Sequence, residues 1–176
     1  STNTITYFTI STAGNGIDFG DLTNVQDYAG ACASRTRGLL FAGTGPNTNT
    51  IDYWTISSTG NAADFGDMAS AAGGGGDCGD GIYALFAGGR YSPYLGNAAL
   101  NRIESINVFT TGNGTSFGAL TSKRTNGPAG AHGETRGLFA GGTGAPPSPG
   151  TKNEISYVTI QTASNTTDFG DLTQQR

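Results

Sequence analysis

A single sequence unit occurs four times along the chain, and this repetition constrains the fold more than any other feature. Each copy starts with an apolar segment, crosses a small polar turn and ends with D-F-G-D-L or a close variant. The copies span residues 5–22, 51–68, 103–120 and 155–172, so that successive copies are offset by 46, 52 and 52 residues. Repeats of about 50 residues are typical of folds in which each repeat is one supersecondary unit packed on its neighbours.

The composition indicates one domain with a neutral, hydroxyl-rich surface. A chain of 176 residues can bury a core without metal or disulfide staples. Charged residues make up 12 % of the chain, and the net charge is −4. Nucleic acid is not an expected partner, because phosphate binding needs clustered Lys and Arg. The sequence also lacks an 18-residue apolar run, and its first ten residues lack the basic segment of a signal peptide, so we expect neither a membrane span nor that export route.

The first segment of each copy is predicted to be a β-strand covered on both faces. Apolar side chains fall on both sides of this segment, and only its second and fifth positions, such as Asp52 and Thr55, are polar. The turns at 11–16, 57–62, 110–115 and 161–166 are rich in Gly and Asn, which tolerate the positive φ of a tight hairpin. The D-F-G-D-L segment then returns as the next strand, with its aspartates at edges and turns.

A second module lies between these hairpins, at residues 30–43, 76–89 and 130–142. Its small residues predict an inner strand where neighbouring units crowd together, and its L-F-A-G run predicts a buried strand that ends at glycine. In this alignment Phe41, Phe86 and Phe139 are equivalent. We therefore expect an all-β domain, 1–176, with four short antiparallel strands per unit: a half unit at 1–27 and complete units at 28–72, 73–124 and 125–176.

The order of these segments resembles the kelch β-propeller blade. The I-x-Y-x-T-I, D-F-G-D-L and T-R-G-L-F-A-G-G segments are similar, more specifically, to repeats in structural and tail-fibre-like proteins of tailed phages, notably marine ones, over nearly the whole chain. The pattern is degraded at 73–81 and 103–120. The resemblance implies propeller-type repeats and a role in the virion.

Both ends of the chain carry the same hairpin, at 5–22 and 155–172. A closed propeller joins complementary terminal strands, and three complete blades are fewer than the usual four to eight. We therefore expect either self-assembly through the ends, since exposed strand edges invite a partner, or a piece of a longer repeat protein.

The aromatic residues fall into two predicted sets. Loop aromatics at Tyr91 and Tyr94 are candidate ligand contacts, because variable loops on a repeated scaffold commonly bind ligands and aromatic rings stack on sugars. The structural set recurs within the repeats, and we expect Trp54 to be buried between units. It comprises Phe19, Trp54, Phe65, Phe86, Phe117, Phe139 and Phe169.

No catalytic, cofactor or metal site is predicted. Cys32 and Cys78 lie 46 residues apart at equivalent positions, which favours two small buried hydrophobes over a disulfide or a reactive thiol. Asp77 and Asp80 could ligate calcium, but the known nonapeptide calcium repeat is not matched. His132 is the only histidine and lacks a cluster at ligand spacing.

Two other recurrent residue types have simple interpretations. Arg37 and Arg136, in the T-R-G triplets, are hypothesised to contact the D-F-G-D carboxylates of an adjacent unit. Asn113 and Asn165 head N-x-T sequons, but turn chemistry explains both.

Together with the resemblance to tailed-phage repeats, these patterns predict a non-enzymatic viral structural protein of the virion, outside the cell. It would be a tail or head fibre or a decoration protein of a phage, with itself and other virion proteins as partners and with attachment to a host-surface glycan as a further role. The alternative is a lectin-like, carbohydrate-binding β-propeller module. An enzyme would need a convergent acid, base or metal set, which the sequence does not offer.

Overall fold

Antiparallel strands form all the regular structure of the described chain. The computed structural model describes residues 2–43, 49–91, 98–145 and 149–176. Within these ranges it contains no helix. The first repeat forms the two-stranded hairpin of β1 (Thr4–Tyr7) and β2 (Ile17–Asp21). The second forms a sheet of β3 (Gly30–Ala33), β4 (Arg37–Phe41), β5 (Thr50–Thr55) and β6 (Ala63–Asp67), paired in chain order.

The third and fourth repeats also form antiparallel sheets. A two-stranded pair, β7 (Ala72–Gly73) with β10 (Arg90–Tyr91), lies beside the third repeat. The third sheet contains β8 (Gly76–Gly79), β9 (Tyr83–Ala87), β11 (Leu100–Asn107) and β12 (Thr115–Asn126). The fourth contains β13 (Ala129–His132), β14 (Arg136–Ala140), β17 (Glu154–Thr159) and β18 (Thr167–Asp171). The prediction of four antiparallel strands per unit is therefore confirmed in three sheets.

One strand exceeds the predicted unit. β12 runs past its own hairpin to Asn126 and pairs there with β15 (Thr143–Gly144), which pairs with β16 (Gly150–Thr151). The third sheet therefore has six strands and ties the third repeat to the loop region of the fourth.

The strand register corrects the alignment of the apolar module by one residue. Ile51, Ile103 and Ile155 are opposite Phe41, Ala87 and Ala140, respectively. Leu40 of the second repeat is therefore the structural equivalent of Phe86 and Phe139, because L-L-F-A-G carries one residue more than L-F-A-G. The two cysteines remain equivalent in this register, since Cys32 pairs with Leu39 and Cys78 with Leu85.

The small-residue strands are crowded, as the sequence predicts. A Cβ atom at Gly130 of β13 would lie 1.8 Å from the backbone oxygen of Asp77 on β8. One at Gly79 of β8 would lie 2.7 Å from the Cys32 sulfur on β3. Only glycine permits such a close approach of neighbouring inner strands.

The hydrophobic core lies between consecutive sheets rather than inside one. One cluster packs Leu39, Phe41 and Phe65 of the second repeat against residues of the third, including Phe86, Ile106 and Val108. The other packs Leu85, Ile103 and Phe117 of the third repeat against Phe139, Val158 and Ile160 of the fourth. The described residues do not form a closed propeller.

Candidate functional site

Neighbouring repeats are held together by a recurring contact between backbone segments. The turn of one repeat lies against the D-F-G-D strand of the repeat before it. Between the first two repeats, the Gly60 N–H donates to the Phe19 carbonyl and the Ala62 N–H donates to the Asp21 carbonyl, both at 2.8 Å. The Oδ1 atom of Asn61 accepts from the Asp21 N–H at 3.0 Å. We call this set of contacts the repeat joint.

The next two repeat joints have the same geometry. Asn113 accepts a hydrogen bond from the Asp67 N–H at 3.0 Å, and Asn165 accepts one from the Ala119 N–H at 3.0 Å. In the last joint the Thr166 N–H also donates to the Ala119 carbonyl at 2.9 Å. Each joint therefore uses one asparagine side chain and the main chain of the partner strand.

The glycine of the D-F-G-D strand allows this close approach. A Cβ atom at Gly20, Gly66 or Gly118 would lie 2.3, 2.4 or 2.0 Å from a carbonyl oxygen of the next repeat's turn. Gly20 and Gly66 also have φ values of +151° and +146°, at a bulge where the register of each hairpin shifts. A side chain at this position would meet both backbone strain and a steric clash.

Buried carboxylates form a second connection between repeats. Asp52 is fully buried and accepts from the Thr23 N–H at 3.0 Å and from its hydroxyl at 2.5 Å. At the same position in the next repeat, Glu104 accepts from the Ala69 N–H at 2.9 Å. Burial raises the pKa of Asp52 above its ordinary value, while the hydrogen bonds from Thr23 oppose that rise. The polar second position of the strand thus satisfies backbone N–H groups of the preceding repeat.

The two ends of the chain carry the unmatched halves of the same joint. Phe19, Phe65 and Phe117 are 8 %, 3 % and 7 % exposed, whereas Phe169 of the last repeat is 55 % exposed. A Cβ atom at Gly170 meets no atom within 4 Å. Among the described residues, therefore, no turn covers the last D-F-G-D strand.

The turn that would form the other half of a repeat joint lies on the first hairpin. Its turn contains Asn15, the counterpart of the three joint asparagines. Phe8 and Ile10 of this repeat are 66 % and 94 % exposed. Their equivalents are buried in the third repeat, where Ile106 and Val108 are 4 % and 0 % exposed. The first hairpin thus presents an apolar face that is covered in the third and fourth repeats. In the second repeat the same face is covered only in part, since Ile56 is 45 % exposed.

The predicted structural aromatics mostly lie in or beside the core. Phe86 and Phe139 are fully buried. Trp54 lies between the first two repeats, in a groove with Phe8 and Phe19. Its side chain is only half-buried, so the prediction of its location agrees with the structure and the prediction of full burial is wrong. The reason is that the first repeat offers a hairpin rather than a full sheet to cover its ring.

Of the two predicted loop aromatics, the structure describes Tyr91. Tyr91 is half-buried against the first core cluster, and its N–H donates to the Ala98 carbonyl at 3.0 Å. Tyr94 lies outside the described residues. An aromatic that the sequence analysis did not select, Tyr28, is 69 % exposed, and the Arg90 guanidinium lies 5.9 Å from its ring centroid.

An open depression of about 510 Å³ lies along the inner strands, lined by Cys32, Trp54, Asp77, Cys78 and His132 among others. Burial raises the pKa of Asp77 to about 6. It also raises the pKa values of Cys32 to about 11 and of Cys78 to about 12, so both free thiols are protonated at neutral pH. Among the described residues, no group of three or more His, Cys, Asp or Glu side chains could hold a metal ion.

The two aspartates considered as calcium ligands have separate structural roles. Asp80 accepts from the N–H groups of Ile82 and Tyr83 at 2.9 and 2.8 Å, and from Gln161 at 2.9 Å. These hydrogen bonds lower its pKa against the opposing effect of burial. Asp77 instead faces the neighbouring inner strand, where it accepts from the backbone of Ala31.

The T-R-G arginines do not contact D-F-G-D carboxylates, which corrects the hypothesis. Arg37 and Arg136 stack over the rings of Tyr53 and Tyr157 in their own repeats, at 5.0 and 4.7 Å from the ring centroids. Arg37 also donates to the Val108 carbonyl of the next repeat at 3.0 Å.

The sequence analysis missed an ion pair that joins β12 of the third sheet to β17 of the fourth. Arg124 is fully buried and donates to the Gly141 carbonyl at 2.9 Å. Its guanidinium lies 3.1 Å from the Glu154 carboxylate. Nothing in the repeat pattern marks Arg124, because it lies in the part of β12 that has no equivalent in the other sheets. The joint asparagines could have been found, since asparagine recurs in all four turns at 15, 61, 113 and 165.

No protein-family model matches the chain, and no curated protein matches its sequence. Within the described ranges, no helix is long and apolar enough to cross a membrane.

Proposed function

We propose that this chain is a non-enzymatic structural component of a phage virion, a tail or head fibre or a decoration protein, that assembles through its repeat units. The observation that carries the proposal is the pair of open end faces: an uncovered D-F-G-D strand at 167–171 and an apolar hairpin at 5–22. Large uncovered apolar groups such as Phe8, Ile10 and Phe169 are typical of interaction surfaces.

The chemistry of the repeats supports the same role. The repeat joint is made of main-chain groups, asparagine and glycine, so it stabilises a stack of units without placing reactive groups on the surface. Cys32, Cys78, Asp77 and His132 line one depression. Burial raises the pKa values of both thiols, and no described hydrogen bond joins either thiol to a base. The resemblance to tail-fibre-like phage repeats agrees with this chemistry.

The test is the composition of the particle. Virions of the phage that encodes the sequence should be purified through a density gradient, washed in high salt and digested for peptide mapping. Peptides of this chain should be recovered at a fixed stoichiometry to the major capsid protein. Their absence from washed particles, with the chain present in the infected lysate, would overturn the proposal.

The alternative, carbohydrate binding, is favoured by one cluster beside the variable loop 90–101. The exposed ring of Tyr28 lies next to Arg90 and near the strand that carries Tyr91. An exposed aromatic ring flanked by a cation can stack on a sugar and donate to its hydroxyls. A glycan array read with the intact chain and with Tyr28→Ala tests this role, and equal signals for the two proteins would refute the involvement of this cluster. This role is compatible with attachment to a host-surface glycan by an assembled virion component.

A further inference from the structure

The two open faces of the chain are complementary halves of the repeat joint. Inside the chain, the face that contains Phe65 and Met68 packs on Ile106 and Val108 of the next repeat. The face that contains Phe117 and Leu120 packs on Val158 and Ile160. The equivalents at the two ends are Phe169 and Leu172 on the last repeat, and Phe8 and Ile10 on the first.

The polar parts of the joint are complementary in the same way. In the internal joints a turn asparagine accepts from the N–H two residues after the phenylalanine, at 3.0 Å in each case. The corresponding open groups are Asn15 in the first turn and the Asp171 N–H in the last strand.

The open strand already has the conformation of the occupied ones. The rings of Tyr157 and Phe169 are 6.0 Å apart at 80°, compared with 5.7 Å at 80° for Tyr53 and Phe65. Gly170 has the positive φ, +138°, that Gly66 has at an occupied joint, and the space beside it is empty. The Asp168 carboxylate accepts from the Gly170 N–H at 3.1 Å, as Asp64 does for Gly66 at 2.9 Å. Such preorganisation lowers the entropic cost of binding.

We propose that the strand 167–171 binds the turn 11–16 of a second copy of this chain, head to tail, through a fourth repeat joint. The occupant is a second copy because its first hairpin carries every element that the internal joints use: the asparagine, the small turn residues and the two apolar side chains. The contact joins two different faces, so it is heterologous and propagates into a filament or a ring rather than stopping at a symmetric dimer. This inference rests on the assembly role proposed above and names its partner.

A complementation experiment tests the joint. Ile10→Lys places a charge on the first face and leaves the last face intact, whereas Phe169→Lys does the reverse. Both positions are exposed in the single chain, so both variants should fold, as circular dichroism will report. The control is Phe109→Lys, because Phe109 is 51 % exposed but lies in the turn of the third repeat, away from both end faces.

The expected results are specific to a head-to-tail contact. In multi-angle light scattering the unaltered chain and Phe109→Lys should show masses that rise with concentration above 17.9 kDa. Each of the two end variants should be monomeric alone, and an equimolar mixture of them should form a dimer of one copy of each. Asn15→Ala should weaken association roughly 2- to 10-fold, the value of one hydrogen bond, without loss of stability, whereas Asn113→Ala should destabilise the folded chain.

Three outcomes would overturn the inference. They are a monomeric unaltered chain at every concentration, an oligomer that survives both lysine substitutions, or a mixture of the end variants that stays monomeric. A monomeric chain that is nevertheless found in washed virions would refute the joint and leave the proposed function standing. A chain that polymerises head to tail but is absent from virions would support the joint and refute the proposed function.

Discussion

The glycine of the D-F-G-D strand offers a matched pair of substitutions that measures the repeat joint inside one molecule. Gly66 and Gly170 have the same neighbours in sequence and similar φ values of +146° and +138°. They differ in what lies next to them. A Cβ atom at Gly66 would be 2.4 Å from the Gly112 carbonyl oxygen, whereas at Gly170 it would meet no atom within 4 Å.

Alanine at either position should lose stability, but by different amounts. The positive φ costs about 1–3 kcal/mol at both sites. At Gly66 the added methyl group must also displace the turn of the next repeat. That movement weakens the Gly112 N–H to Phe65 carbonyl bond at 2.7 Å and the Asn113 bond to the Asp67 N–H at 3.0 Å. Overpacking of this kind costs about 1–3 kcal/mol, and each lost hydrogen bond about 1 kcal/mol. Gly66→Ala should therefore be about 2–4 kcal/mol more destabilising than Gly170→Ala.

Urea and thermal unfolding followed by circular dichroism at low protein concentration would measure the difference. For a chain of this length, it corresponds to a melting temperature lower by roughly 4–16 °C for Gly66→Ala than for Gly170→Ala. Gly118→Ala supplies a further comparison, because Gly118 is outside the positive-φ region and its whole cost is steric. Equal losses for Gly66→Ala and Gly170→Ala would refute the claim that the turn of the next repeat imposes the glycine.

Three further predictions concern ionisable groups. Burial raises the pKa of Asp77 from 3.8 to about 6, so the folded state binds this proton more tightly than the unfolded state, and the stability of the chain falls as the pH rises from about 4 to about 6. The free energy of unfolding of Asp77→Asn should rise by about 1–3 kcal/mol relative to that of the unaltered chain across that window. Parallel pH profiles of the unfolding free energy for the two proteins would contradict this. Arg124→Met should lower the free energy of unfolding by about 2–4 kcal/mol, because it leaves the Gly141 carbonyl and the Glu154 carboxylate without their buried partner. Urea unfolding measures this loss. The control, Lys123→Met at an exposed position, should change the same free energy by no more than about 0.5 kcal/mol. Cys32 and Cys78 should react with a thiol reagent at pH 8 far more slowly in the folded chain than in urea, since burial raises both pKa values; rapid labelling of one thiol in the folded chain would be evidence against this placement.

The repeat pattern predicts the strands well because strand formation here depends on short-range signals. Alternating apolar positions, Gly-Asn turns and the small-residue segments specify four strands per unit, and these appear in three sheets. The same pattern gives a one-residue error at Phe41, because sequence similarity alone does not reveal that the L-L-F-A-G run of the second repeat contains an extra residue. Register is set by the partner strand, and the partner is a long-range contact.

The parts that the sequence did not predict are contacts between units. The sequence marks Asp52 only as a polar position of its strand and does not reveal its partner. Asp52 is fully buried and accepts from the N–H and the hydroxyl of Thr23, which follows the first repeat's D-F-G-D-L segment. Trp54 is less buried than expected because burial depends on what the preceding unit contributes, and there it contributes two strands. Such outcomes depend on the number of neighbours a repeat has, which its own sequence does not specify.

The third repeat explains how the joint tolerates sequence change. It has Ser116 and Ala119 where the other copies have aspartate, so a joint made by those carboxylates would fail there. The joint persists because Asn165 binds the main-chain N–H of Ala119, and the Thr166 N–H binds its carbonyl. Any residue except proline supplies these two groups, whereas the glycine and the turn asparagine act through their own backbone and side-chain properties. The elements that a unit must keep in order to join another are therefore the glycine of the strand, the asparagine of the turn and the apolar positions between them, and both open faces of this chain keep them.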